Sequence, residues 1–186
     1  MKTRIILPDT DGISEAGAIL RSGGLVAFPT ETVYGLGANA LDATATKHIY
    51  EAKGRPSDNP MIVHVASIDM LNGVASGVTD AQKAIMSKLW PGPITFVLHK
   101  NPAVPDVTTG GLDTVAVRWP SRREAAEIIE AAGVPIAAPS ANLSGKPSPT
   151  TFDDVIEDMD GRIDAIVKGE RTAIGIESTV LDLTSE

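Results

Sequence analysis

The sequence predicts an α/β domain built on a mixed, twisted β-sheet flanked by helices. Strand-like and helix-like segments alternate along most of the chain, and several strand-like runs lie close together towards its end. The 186 residues, 42% of them hydrophobic, can bury a substantial core, and no shift in composition divides them. We therefore expect residues 1–186 to form one domain.

Each predicted strand is a short apolar or alternating run bounded by turn residues. These runs lie at residues 5–7, 25–28, 61–65, 94–98, 115–118, 135–138, 165–168 and 178–183. Alternation places His64 beside Ile62 on one face, and Arg118 on the face opposite Val117. Pro29 to Gly37 is predicted as a loop, because it is polar and contains two glycines.

The helices are predicted from apolar spacing together with start and stop residues. Asp42 can cap a helix that ends at Lys53, since Gly54 suits the left-handed position after a helix. Ser121 to Glu124 has the spacing of a capping box, which predicts a helix through about Ala132 with both of its arginines at the surface. The other predicted helices end at Gly23, cover residues 81–89, and run from a Thr151 cap to Met159.

Composition excludes several classes of function. The net charge of −8 repels a nucleic-acid backbone, and the absence of cysteine excludes a thiol nucleophile, a disulfide framework and a cysteine metal site. His48, His64 and His99 lack metal-ligand spacing, so we expect no protein-bound metal. No run is long enough for a signal peptide or a membrane span, and a cytoplasmic enzyme is the expectation.

Two stiff polar loops are the candidates for chemistry. Lys53 to Pro60 holds two cations between prolines, which suits anion binding, although both cations could instead be solvated at a helix end. Ala138 to Ser148 is rich in hydroxyl and amide groups, but its Gly145-Lys146 pair lacks the flanking residues of a P-loop. Gly35 to Ala40 imitates a dinucleotide fingerprint without opening a helix, so we reject that reading.

Two further side chains have alternative interpretations on this evidence. His64 could face a site or be a hydrogen-bonded core histidine. Arg118, on a strand before Trp119-Pro120, could clamp a carboxylate or extend to solvent from a sheet edge.

Six segments together resemble the YrdC-like family of threonylcarbamoyl-adenylate synthases, in the order that the family has. They are Phe28 to Asn39 (FPTETVYGLGAN), Lys53 to Val65 (KGRPSDNPMIVHV), Trp90 to Leu98 (WPGPITFVL), Thr114 to Pro120 (TVAVRWP), Ala138 to Gly145 (APSANLSG) and Gly175 to Asp182 (GIESTVLD). The resemblance implies a twisted mixed sheet around a concave basic cavity.

The resemblance also implies an activity and partners. L-threonine, bicarbonate and ATP would be condensed to threonylcarbamoyl-adenylate and pyrophosphate, with Mg²⁺ arriving with ATP. The product would pass to threonylcarbamoyl-transferase proteins that modify tRNA, with weak or indirect tRNA contact and no membrane. Relatives continue beyond the position of Glu186 into a segment with another arginine at the nucleotide, and longer members add a second domain.

Site residues follow from the same resemblance. The K-x-R motif matches Lys53 and Arg55, and the S-x-N motif matches Ser140 and Asn142, which implies catalytic and ATP-binding roles for all four. ATP-binding roles are also implied for Asn59, Thr114 and Ser148. L-threonine-binding roles are implied for Thr32, His64, Arg118, the backbone at Ala138, and Ser178.

Two other functions are compatible with these sequence features. A cavity of this kind could hold structured RNA without catalysis, which the net charge of −8 disfavours. A similar domain occurs in carbamoyl-transferring maturation proteins of hydrogenases, but those carry acylphosphatase and zinc-finger-like segments that this sequence lacks.

Overall fold

The structure, a computed structural model, describes residues 2–184, so the predicted domain limits at Met1 and Glu186 lie outside the described residues. The described part of the chain contains nine strands and six helices. The strands are β1 (Arg4–Ile6), β2 (Val26–Pro29), β3 (Tyr34–Asn39), β4 (Ile62–His64), β5 (Ile94–His99), β6 (Thr114–Arg118), β7 (Ile136–Ala137), β8 (Ala165–Val167) and β9 (Thr179–Asp182). The helices are α1 (Thr10–Arg21), α2 (Ala43–Lys53), α3 (Ile68–Val74), α4 (Asp80–Leu89), α5 (Arg123–Ala132) and α6 (Phe152–Met159).

All nine strands join one mixed sheet in the order β1-β8-β2-β3-β7-β4-β6-β5-β9. Strand β4 pairs with β6 in parallel, while β3 and β4 both pair with the short β7 antiparallel. The prediction of a mixed α/β sheet is therefore confirmed. In this order the ends of β3, β7, β4 and β6 lie side by side in the middle of the sheet.

The middle of the sheet is buried on both faces, whereas all four residues of the edge strand β9 are exposed. Alternation along β2 sends Val26 and Phe28 into one apolar cluster, which also contains residues of α1 and α5, and sends Ala27 into another, larger cluster. Trp90 is 9% exposed and packs edge-on against Phe96. No helix among residues 2–184 has the length and apolar character needed to cross a membrane.

Helix α2 begins and ends where its local sequence predicts. One carboxylate oxygen of Asp42 accepts the backbone N–H groups of Thr44 and Ala45, at 2.8 and 3.2 Å. Gly54 adopts φ of 62°, a left-handed conformation that costs glycine little. The anion-loop candidate therefore leaves the end of a well-defined helix.

The prediction of a loop from Pro29 to Gly37 was wrong, because Tyr34 already begins β3. Only residues 30–33 connect β2 to β3, which pair antiparallel. The glycine at 37 is there for packing: a Cβ atom on it would lie 2.7 Å from the Phe28 ring and 2.9 Å from Ile136. Helix α3 was also missed by the sequence analysis.

The predicted capping box before α5 was wrong as well. The N-cap residue is Arg122, and no side chain caps the helix. Glu124 instead forms an ion pair with Arg122 at 3.0 Å, so it cannot reach back to Ser121. The side chain of Arg122 is only 13% exposed, which corrects its predicted surface position, whereas Arg123 is 75% exposed, as expected.

Candidate active site

A cavity of about 130 Å³ lies where the middle strands of the sheet end. His64 and Arg118 are the last residues of the parallel strands β4 and β6 and are directly paired in register. The carboxyl ends of parallel strands are the usual place for ligands in α/β proteins. The predicted site residues that line this cavity are Thr32, Arg55, His64, Arg118, Ala138, Ser140 and Ser178.

Arg118 is held from two directions. Its Nη1 donates a hydrogen bond to Thr32 Oγ1 at 2.9 Å, and its Nη2 lies 2.7 Å from Glu31 Oε1. The contact between Arg118 and Glu31 is an ion pair without hydrogen-bond geometry. Arg118 Nε and Nη2 consequently have no hydrogen-bond partner among the described residues. The edge of a guanidinium that these two atoms form matches a carboxylate.

Hydroxyl groups fix the position of Thr32. Its Oγ1 lies 2.9 Å from Thr30 Oγ1, which in turn donates to the backbone carbonyl of Val33 at 2.7 Å. Thr32 Oγ1 accepts from Arg118, and its own proton is therefore free to go to Thr30. This relay ties the connection between β2 and β3 to Arg118.

His64 is 2% exposed, and its Nδ1 has no hydrogen-bond partner within the described part of the chain. Burial, helped by the nearby positive charge of Arg118, lowers the pKa of His64 to about 3. The imidazole is therefore neutral at pH 7 and can exchange a hydrogen bond with a ligand. Its cavity position favours the site interpretation over that of a satisfied core histidine.

The opposite wall is built from β5 and the segment before β9. Ser178 Oγ lies 2.7 Å from Thr95 Oγ1, and Thr95 is fully buried opposite Arg118 in the β5–β6 register. The backbone N–H of Ala138 donates a hydrogen bond to the carbonyl oxygen of Ile62. This bond holds the backbone of Ala138 beside β4. These groups offer hydrogen bonds at set positions around a small ligand.

Arg55 reaches the cavity from the loop after α2. Its Nη2 donates to the backbone carbonyl of Pro60 at 3.0 Å, while its Nε is buried without a partner among the described residues. Burial lowers the pKa of Arg55 below its ordinary value, but an arginine stays charged at neutral pH. Ser140 lines the cavity beside it.

Lys53 does not line the cavity. The residue is 3% exposed, and its ammonium donates to the backbone carbonyls of Ser140 and Asn142, the latter at 2.6 Å. Burial, and to a lesser degree the charge of Arg55, lowers the pKa of Lys53 to about 8. In this arrangement Lys53 supports the loop that carries Ser140, and direct contact with phosphate stays a prediction.

Four other predicted ATP ligands also lie outside the cavity lining. Asn142 is buried and donates from Nδ2 to the carbonyls of Leu143 and Lys146. Asn59 is exposed, Thr114 begins β6, and Ser148 donates to a carboxylate oxygen of Glu177 at 2.9 Å. The structure neither brings these four to the cavity wall nor tests their roles.

A family model for the Sua5, YciO and YrdC proteins, described as "Telomere recombination", matches residues 18–186. The chain belongs to the Sua5/YciO/YrdC family. The predicted resemblance is therefore confirmed.

Curated members of the Sua5/YciO/YrdC family include proteins named Threonylcarbamoyl-AMP synthase. The one from Pyrococcus abyssi is 57% identical over 91% of this chain, and the one from Bacillus subtilis is 53% identical over 94%. The chain spans about half of these relatives, 50% and 51% of their lengths. A Chromobacterium violaceum protein of the same name is 34% identical, and the match covers 89% of this chain and 86% of that protein.

Solved structures confirm the family fold. The crystal structure of P. abyssi Sua5 complexed with L-threonine has a TM-score of 0.96 and 53% identity, and the match covers 98% of this chain and 55% of that one. E. coli YciO has a TM-score of 0.82 and 25% identity, with 100% of this chain and 91% of that chain covered.

Sequence reasoning missed three polar groups of this Sua5/YciO/YrdC site. They are Glu31 beside Arg118, Glu177 on the cavity wall, and Thr95 bonded to Ser178. Only Glu31 had a signal, since it is the single carboxylate in the polar segment between β2 and β3. The two arginines thus face two carboxylates, and the expected basic character of the cavity is not shown.

Within residues 2–184, no group of three or more histidine, aspartate or glutamate side chains is arranged to hold a metal ion. Glu177 is the one carboxylate on the cavity wall. Mg²⁺ commonly binds through substrate phosphates and water with only one or two carboxylates, so arrival with ATP suits these residues and stays a prediction.

Proposed function

We propose that this protein is an L-threonylcarbamoyladenylate synthase, which converts L-threonine, bicarbonate and ATP into threonylcarbamoyl-AMP and pyrophosphate. The observation that carries the proposal is the shared cavity of Thr32, His64, Arg118, Ala138 and Ser178, the five residues that the resemblance assigns to threonine. The fold match to a threonine-bound relative, at a TM-score of 0.96, supports it.

L-threonine binds at the Arg118 end of the cavity. The α-carboxylate binds to Nε of Arg118, which has no hydrogen-bond partner among the described residues, and to Nη2, which also faces Glu31. Neutral His64 and the hydroxyl of Ser178 are the groups available to the threonine hydroxyl and amine. Burial strengthens these interactions, because little water competes with them.

ATP binds at the Arg55 end. The guanidinium neutralises phosphate, and the hydroxyl of Ser140 beside it contacts a phosphate oxygen. We assign Asn59, Thr114, Asn142 and Ser148 to ATP as well, which requires the loops after α2 and β7 to close over the nucleotide. Lys53 acts by holding the loop that carries Ser140. Mg²⁺ accompanies the phosphates and neutralises charge there.

The chemistry proceeds in two steps. The ammonium group of L-threonine first loses a proton. The resulting amine attacks the carbon of bicarbonate and forms a C–N bond, and water leaves. An oxygen of the resulting carbamate then attacks the α-phosphorus of ATP, and pyrophosphate leaves. Arg118 orients the first nucleophile and Arg55 offsets the charge on the phosphates, so the protein works by alignment and electrostatic stabilisation.

The family comparisons support this activity. Relatives that carry the same name include one of which 86% is matched by this chain, alongside others of which about half is matched. We further propose that the product passes to threonylcarbamoyl-transferase proteins in the cytoplasm. Contact with tRNA is weak or indirect, because the net charge is −8.

Pyrophosphate release from ATP tests the proposal directly. Purified protein is incubated with ATP, Mg²⁺ and bicarbonate, with and without L-threonine, and the adenylate product is identified by mass spectrometry. Threonine-dependent release together with the mass of threonylcarbamoyl-AMP is expected. Threonine-independent release, or no adenylate of that mass, contradicts the proposal. Tight, steeply salt-dependent RNA binding without release would favour an RNA-binding module instead.

A further inference from the structure

The two arginines of the cavity have different electrostatic surroundings. Arg118 is 4% exposed and has the carboxylate of Glu31 2.7 Å from its Nη2. Arg55 is more accessible, and its only described hydrogen bond from the side chain goes to the backbone carbonyl of Pro60. Among residues 2–184, Arg55 forms no ion pair. Glu177 also lines the cavity and acts on Arg55 at longer range. Arg118 therefore has a carboxylate in direct contact, whereas Arg55 does not.

The Glu31 carboxylate forms an ion pair with Arg118 and with no other side chain among residues 2–184. Both of its oxygens are buried, and neither has a hydrogen-bond partner among the described residues. Its backbone is fixed, since Glu31 O accepts the N–H of Ile174 at 3.0 Å and Thr32 O accepts that of Gly175 at 2.9 Å. The negative charge is thus held at a set position beside Arg118.

The Arg118–Glu31 ion pair and Arg55, which has no carboxylate in direct contact, favour different ligands. An α-amino acid carries one positive and one negative group and is neutral overall, so it can approach the Arg118–Glu31 pair without net repulsion. A polyphosphate carries only negative charge and is repelled by Glu31 at short range, where burial weakens screening. Arg55 has no carboxylate in direct contact among the described residues, since Glu177 acts on it only at longer range, and it is the more available of the two to phosphate. Repulsion of this kind is a common source of specificity.

We propose that Glu31 sorts the two anionic groups of the reaction, reserving Arg118 for the carboxylate of a zwitterionic amino acid and leaving phosphate to Arg55. This inference rests on the function proposed above and names its substrate-sorting residue. Glu31 does not itself line the cavity. It is a positioning residue that acts through the charge and orientation of Arg118.

The test compares two small ligands by calorimetry on the full chain. L-threonine and (R)-3-hydroxybutyrate share the carboxylate and the configuration of the hydroxyl, but only threonine has the amine. For Glu31→Gln, the preference for threonine should fall by at least about 10-fold, and inorganic pyrophosphate should bind at least about 3-fold more tightly. The amide keeps the shape of the side chain and removes its charge.

Glu124→Gln is the matched control, since Glu124 also forms a partly buried ion pair with an arginine, 3.0 Å away and outside the cavity lining. It should leave the ligand preference within about 3-fold of wild type. Equal weakening of both acids by Glu31→Gln would show a merely structural role and overturn the inference. An unchanged preference would overturn it too.

Wild-type protein supplies a second measurement that does not depend on the folding of a variant. With saturating pyrophosphate, the Kd for L-threonine should stay within about 2-fold of its value alone, because phosphate is kept away from Arg118. A Kd that rises in proportion to pyrophosphate would overturn the inference. Wild-type protein that binds neither ligand would overturn the proposed function as well, whereas binding of both with competition between them contradicts only the role of Glu31.

Discussion

The side-chain nitrogen of Lys53 lies 2.6 Å from the backbone carbonyl oxygen of Asn142, across 89 residues of sequence. The same nitrogen donates to the carbonyl of Ser140, and Ser144 returns a backbone hydrogen bond to the carbonyl of Lys53 at 2.9 Å. The end of α2 is therefore tied to the loop after β7. Because Ser140 lines the cavity, this tie connects Lys53 to the part of the cavity that we propose for phosphate.

Replacing Lys53 by methionine should destabilise the protein. The substitution keeps a long apolar stem but leaves buried carbonyl oxygens without a donor, which costs about 1 to 3 kcal/mol in the free energy of unfolding. Urea denaturation measures the change. Lys47→Met is the control, since Lys47 lies on the same helix and is exposed. Equal stability of the two variants would contradict the role of the tie.

Replacing Arg118 by alanine should impair the use of L-threonine specifically. Loss of a buried, charge-assisted pair with the substrate carboxylate costs about 2 to 5 kcal/mol, so the KM for threonine should rise at least about 30-fold. The KM for ATP should change much less. Steady-state pyrophosphate release measures both, with Arg123→Ala as the control because that side chain is 75% exposed. An unchanged threonine KM would contradict the assignment.

Arg55→Ala should show the opposite pattern. The guanidinium is the cation nearest the proposed phosphate site, and a charge-assisted hydrogen bond contributes about 1.5 to 3 kcal/mol. The KM for ATP should therefore rise about 10- to 100-fold, while the Kd for L-threonine stays near that of wild type. Calorimetry with each substrate separates the two effects. Equal loss of both affinities would indicate a collapsed site rather than a lost phosphate contact.

The parts of the fold that were predictable from sequence depend on local interactions. Asp42 and Gly54 set the two ends of α2 through contacts within a few residues, and both were predicted. Strand β3 was missed because Gly37 is required by Phe28 and Ile136, which are distant in sequence and meet it only in the sheet. The false capping box before α5 has a different, local cause, since Arg122 binds the Glu124 side chain two residues away.

The candidate site, too, was only partly predictable from the sequence. Family motifs identified residues that do line one cavity, such as His64 and Arg118, although neither was decisive from periodicity alone. The ion pair between Glu31 and Arg118 joins positions 87 residues apart, and no spacing rule predicts it. Likewise, the sequence predicted that Lys53 begins an anion-binding loop, but only the packed structure shows that its ammonium donates to backbone carbonyls.

The packing of Gly37 can be tested against another glycine of the chain. Gly37→Ala would place a methyl group 2.7 Å from the Phe28 ring, so the free energy of unfolding should fall by about 1 to 3 kcal/mol. Gly73, inside α3, has open space around its missing Cβ. Gly73→Ala should therefore raise stability by about 0.5 to 1 kcal/mol. Chemical denaturation measures both changes. If the two substitutions shift the free energy of unfolding in the same direction, packing does not explain the glycine at position 37.

Acid should destabilise the protein partly through His64. Its pKa of about 3 in the folded state lies below the ordinary 6.5, so the unfolded chain binds more protons between these values, and stability falls as pH falls through this range. From about pH 7 to pH 5, this one group should remove about 2 kcal/mol from the free energy of unfolding. Urea denaturation of His64→Gln at both pH values should show a loss smaller by that amount. His99→Gln, at an exposed position, should keep the wild-type pH dependence, and an equal loss in all three proteins would show that His64 is not buried as a neutral imidazole.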